Sequence, residues 1–111
     1  MTETLTYRDL RSKAMEKVDE ELRQQVLNGI DWLNETYGPD WVEWVDPSVL
    51  SLGSVTHCVL GQIGRKQNGP FFTFDSVLRE HHKNVTWATD HGFYTMGSYD
   101  ELTKAWTAVL N

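Results

Sequence analysis

Residues 15–37 read MEKVDEELRQQVLNGIDWLNETY, and the spacing of their apolar side chains decides the fold. At about 100° per residue, Met15, Val18, Leu22, Val26, Ile30, Leu33 and Tyr37 fall within a stripe about 120° wide. That is the apolar face of a helix laid against a core. Gly29 lands inside the same stripe, where glycine costs about 1 kcal/mol relative to alanine. Close packing of another segment against the helix explains a glycine there. The competing reading ends one helix at Asn28-Gly29 and starts a second. A single helix over residues 7–37, bent near Gly29, accounts for the stripe better. Thr6 with Asp9 forms a loose N-cap arrangement, Asp19 sits close to the stripe against the pattern, and Gly38-Pro39 stops the helix.

Downstream, the chain breaks into shorter helical units. Trp41, Val42, Trp44 and Val45 predict a short helix pinned by its aromatics, and Asp46-Pro47 opens a further turn. Ser54 is placed to cap a helix running through Gly64, with Val55, Cys58, Val59 and Ile63 on one face. GRKQNGP, residues 64–70, reads as loop. A helix begins near Asp75, and Asn84 caps another through His91, with Gly92 just past its end. Ser98-Tyr-Asp-Glu101 is a capping box that launches Leu102, Ala105, Trp106, Val109 and Leu110 on one face. Alternating apolar and polar runs of strand length are scarce. The expected fold is all-α, a compact single-domain bundle of about five or six helices around one long N-terminal helix, spanning residues 1–111 with 1–5 flexible.

The chain has 111 residues, hydrophobic residues make up 40% and charged residues 23%, which is an ordinary globular composition. Five Trp, four Tyr and four Phe argue against disorder, because each ring buries a large apolar area. No apolar run approaches the roughly 20 residues that cross a bilayer, and the polar N-terminus lacks a signal peptide's apolar stretch. One cysteine, Cys58, cannot form an internal disulfide, so a reducing cytoplasm is the expected location. The net charge of −6 disfavours nucleic acid as a partner, since phosphate affinity is carried by Lys and Arg.

Chemistry-bearing constellations are few. His57 and Cys58 are adjacent in sequence, and neighbours on a helix project about 100° apart. A nucleophilic thiol needs a base or an electropositive setting, whereas the neighbours of Cys58 are aliphatic. His57, His81, His82 and His91 lack the spacings of metal-binding motifs, and His81, His82 and His91 instead close helices, where the dipole favours them. The expectation is no catalytic set, no metal and no cofactor, hence not an enzyme.

Between Arg23 and Arg65 there is no Lys or Arg, and that gap holds five acids with Trp32, Tyr37, Trp41 and Trp44. It reads either as a solvated acidic face over buried aromatics or as a docking surface anchored by aromatic side chains. If it docks, the contact residues expected are Trp41, Trp44, Asp40 and Glu43. Trp41 and Trp44, three apart, share one helical side and can equally be core.

The run Trp41, Val45-Asp46, Leu50-Ser51-Leu52, Cys58-Val59-Leu60-Gly61-Gln62, Ala88, His91-Gly92-Phe93 and Tyr99–Leu102–Trp106 resembles a family of small proteins of actinobacteria and their phages. The likeness covers roughly residues 29–110, and Cys-Val-Leu-Gly-Gln is its most distinctive element. The resemblance assigns no catalytic or binding residue. It implies a phage or prophage product acting in a bacterial cytoplasm. With it, the expected function is a non-enzymatic accessory factor that binds and modulates a host protein. Two alternatives remain: nucleic-acid binding through Arg65, Lys66, Arg79 and Lys83, or mimicry of nucleic acid by the acidic face.

Overall fold

The computed structural model describes residues 20–110. Among them the chain is all-helical, with five α-helices and one 3₁₀ helix. These are α1 (Glu20–Tyr37), the 3₁₀ helix (Pro39–Trp44), α2 (Val59–Asn68), α3 (Phe74–Glu80), α4 (Val85–Asp90) and α5 (Tyr99–Leu110). Thr6, Asp9, Met15, Val18 and Asp19, and with them the start of the expected first helix, lie outside the described residues.

The stripe on α1 faces inward as its spacing requires. Val26, Ile30 and Leu33 are fully buried, and Leu27 nearly so. α1 runs through Asn28 and Gly29 without ending, so the single-helix reading holds over the described span. Gly29 is there because of what crosses it. A Cβ added at this position would collide with the carbonyl oxygen of His91 and come within 3.0 Å of Trp106 and 3.2 Å of Phe93.

Three downstream helices begin where their capping residues stand. Thr73 Oγ1 accepts from the Ser76 amide, Asn84 Oδ1 from the Trp87 amide at 2.9 Å, and Ser98 Oγ from the Glu101 amide. Each satisfies a backbone donor that the first turn leaves free. Gly92 has φ +72° and terminates α4. Its left-handed conformation suits glycine, and a Cβ added there would come within 3.0 Å of the α1 backbone at Val26. The chain then reverses into α5, whose Leu102, Ala105, Trp106, Val109 and Leu110 are all buried, as the capping-box reading predicts.

The segment after Ser54 departs from expectation. Residues 54–58 form a turn, and α2 starts at Val59 with Cys58 as its N-cap. Ser54 Oγ accepts from the amides of Thr56 and His57, so this hydroxyl closes a local turn in place of the helix end. Short polar side chains compete with helix in this way. Val55 consequently leaves the apolar face and is 48% exposed. At its far end α2 runs past Gly64 to Asn68, taking in Arg65 and Lys66, whose charges complement the negative end of the helix dipole. Only the last part of the expected loop is irregular.

One buried cluster joins all six elements, from Val26 on α1 through Trp41 and Ile63 to Trp106 and Val109. Gly29→Ala tests the tightest crossing in it. The substitution gains about 1 kcal/mol of helix propensity but meets a backbone oxygen that no rotamer change can move, at a cost of about 1–3 kcal/mol or more. Because the obstacle is backbone, the cost sits at the upper end of that range, and the expected net effect is a loss of up to about 2 kcal/mol, seen as a lower urea midpoint with unchanged slope. A midpoint at or above the parent's contradicts the crossing.

Candidate functional site

The acidic, tryptophan-rich segment divides into core and surface. Trp41 is fully buried, with its ring edge-on to Trp106 at 6.4 Å, so it offers nothing to a partner. Its indole N–H has no hydrogen-bond partner among the described residues. Trp44 is half-buried and packs edge-on against Tyr37 at 6.1 Å. Asp40 and Glu43 are exposed. Of the four residues expected at a docking surface, Trp44, Asp40 and Glu43 are available to solvent and Trp41 is core.

Trp44 also forms one wall of a groove of about 420 Å³, whose other walls include Val49, His57, Arg65, Lys66 and Pro70. Arg65 and Lys66 come from the last turn of α2. The Gln62 side chain also lines the groove. Its Oε1 accepts from the Asp46 amide at 2.7 Å, and its Nε2 donates to the carbonyls of His57 at 2.9 Å and Asp46 at 3.3 Å. One amide thus ties the end of the 3₁₀ segment to the turn before α2. The Asp46 carboxylate accepts from the Ser48 hydroxyl and amide, and both bonds hold its carboxyl below the usual carboxylate range. Sequence reading assigned Trp44 and the Arg65–Lys66 pair to rival hypotheses, and the fold makes them walls of one groove. Val49, His57 and Gln62 were missed. The signal for Gln62 exists only in three dimensions, since its partners lie 16 and 5 residues away.

The other cations expected to act with Arg65 and Lys66 sit elsewhere. Arg79 lies in the last turn of α3, and the Lys83 ammonium stands 5.3 Å from the centroid of the Trp87 ring. Neither lines the groove.

Two of the histidines, His81 and His91, pack against aromatic rings. Trp32 meets Tyr37, His81, Trp87 and Phe93 edge-on at 4.8–6.1 Å, and His91 stacks on Trp87 at 4.2 Å. The Tyr37 hydroxyl and His81 Nε2 are 3.1 Å apart. Burial, with the Glu80 carboxylate adding to it, pushes the Tyr37 phenol up to about 12. Among the described residues no three His, Cys, Asp or Glu side chains converge as a metal site, and no helix is long and apolar enough to cross a membrane.

Cys58 and His57 do not form a pair. The His57 ring turns to the hydroxyls of Thr56, at 2.9 Å, and Ser54, at 3.3 Å. Cys58 is 2% exposed, and its sulfur accepts from the Gly61 amide at 3.3 Å. Burial pushes the thiol up to about 11 from its ordinary 9.0, against the lowering effect of that bond. Neutral thiol is the form the folded chain holds.

Because the folded value is raised, the unfolded chain loses its proton first, and stability falls as pH rises from 9 towards 11. The expected loss from this group is at most about 3 kcal/mol. It should be seen as a urea midpoint that declines over that range, and less steeply in Cys58→Ala. Native protein at pH 7.5, in about a hundredfold excess of iodoacetamide, should alkylate only as fast as it unfolds. Rapid labelling contradicts a buried, neutral thiol.

Compared with protein-family models, with curated proteins and with solved structures, the chain has no match in any of the three.

Proposed function

We propose that the protein is a non-enzymatic interaction protein, a phage or prophage accessory factor that binds and modulates a host protein through the groove walled by Trp44, Arg65 and Lys66. One observation carries this reading: a half-buried tryptophan lines one open groove together with two cations and Val49, the last of these 49% exposed. Tryptophan and arginine are the side chains that most often dominate binding energy at protein interfaces. A groove of this make-up suits a peptide segment with an apolar side chain next to a carboxylate. Asp40 and Glu43 lie outside the groove lining but are exposed on the helix that carries Trp44, where their opposite charge would add selectivity against an acidic partner surface.

The test is affinity capture from an actinobacterial host lysate with the parent chain and three variants, followed by mass spectrometry and a binding titration of the protein recovered. Trp44→Ala should keep its helical circular dichroism and bind at least tenfold more weakly, the size of a hot-spot loss. Arg65→Glu should weaken binding and slow association. Trp41→Ala should instead lose about 3–5 kcal/mol of stability, as a fully buried aromatic does. A partner that binds Trp44→Ala and Arg65→Glu as tightly as the parent removes the groove from the account. A shift with single-stranded DNA or RNA that weakens steeply with salt moves the protein to the nucleic-acid class.

A further inference from the structure

A second recess, of about 160 Å³, shares no lining residue with the groove. Its floor includes Cys58 and Phe93, each 2% exposed. Its walls are aromatic: Phe74 and Tyr94 stack with centroids 6.3 Å apart, and Tyr99 meets Tyr94 edge-on at 6.1 Å. Val85, at the first position of α4, is 49% exposed at the rim. An apolar cavity of about 150 Å³ takes one benzene ring, so this recess is matched to a single ring.

Its charge is of one sign. Asp75, in the first turn of α3, lines the recess, and no Lys or Arg does. The Asp75 carboxylate is exposed, and no hydrogen bond or salt bridge engages it among the described residues. Its field reaches the floor, where it adds to the upward push on the Cys58 thiol. Aromatic faces attract cations as well. An aryl carboxylate would meet repulsion here, and a neutral ring would leave the carboxylate unused.

We infer that this recess binds a small arylalkylamine, its ring seated against Phe74, Tyr94 and Tyr99 and its ammonium beside Asp75. The site is independent of the groove at Trp44, and failure of one leaves the other standing.

The experiment is a titration of the ¹⁵N-labelled full chain with phenethylamine, 3-phenylpropionate and benzyl alcohol, followed by heteronuclear NMR. Phenethylamine should shift the amides of Gly53, Ser54, Asp75 and Tyr94. Asp75→Asn should weaken it about fivefold, the effect of losing one partly exposed charge pair. 3-Phenylpropionate should bind at least about fivefold more weakly than the amine on the same grounds. Val85→Trp, with a dispersed native spectrum, should abolish the shifts by closing the rim. Absence of shifts at millimolar amine, shifts confined to other residues, or equal affinity for the amine, the acid and the alcohol would each overturn the assignment. So would an Asp75→Asn variant that binds the amine as the parent does.

Discussion

The indole of Trp106 is the fixed point on which the packing of this chain depends. Its Nε1–H donates to the carbonyl of Gly92 at 2.6 Å in the buried interior. Its ring stacks on Phe93 at 5.6 Å and meets Trp41 edge-on. Such a hydrogen bond is worth about 1 kcal/mol net, but its loss would leave a buried carbonyl without a partner at a cost of about 1–3 kcal/mol. Each ring pair adds about 0.5–1.5 kcal/mol beyond the area it buries. The arrangement constrains two backbones. Gly92 must adopt a positive φ to turn the chain at that point, and Gly29 must lack a Cβ so that α1 can pass beneath His91, Phe93 and Trp106.

From that anchor the position of the groove follows. Trp41 is locked against Trp106, and the 3₁₀ helix has about three residues per turn with a rise of about 2 Å each. Trp44 therefore lies on the same side as Trp41, about 6 Å further along, where the core ends and solvent begins. One tryptophan is sealed and the next is left half open. The Gln62 side chain then fixes the segment beyond it to the turn before α2, and Arg65 and Lys66 of α2 line the same groove as Trp44. The buried tryptophan and the half-open one are on successive turns of one short helix.

Most of the fold was legible because local chemistry and tertiary packing agree. The stripe on α1, the caps at Asn84 and Ser98, and the apolar face of α5 each need only their own neighbours to be read. The start of α2 was misread because Ser54, Thr56 and His57 bond to one another and hold a turn where periodicity suggested helix. The candidate site was less legible for a related reason. Spacing puts Trp41 and Trp44 on one side of a helix but does not say where along that side the core stops. That boundary is set by Trp106, 65 and 62 residues downstream. Composition, likewise, separated the tryptophan-rich stretch of residues 24–64 from the cations that follow, and only the fold places Trp44, Arg65 and Lys66 in one groove.

The groove's charge order bears on the class of partner. A nucleic-acid strand presents a uniform row of negative charge, and its affinity rises with each phosphate that Lys or Arg neutralises. Here Arg65 and Lys66 stand in the groove, while Arg79 and Lys83 belong to α3 and the segment after it, the latter over Trp87. Asp40 and Glu43 project from the helix that carries Trp44. A strand laid in the groove would gain only two phosphate contacts there, from Arg65 and Lys66. A peptide is under no such constraint. It can set a carboxylate against Arg65 and Lys66, an apolar side chain against Trp44 and Val49, and a cation against Asp40 and Glu43. The net charge of −6 disfavours a polyanion over the whole molecule, and the exposed Asp40 and Glu43 on the helix that carries Trp44 add to that.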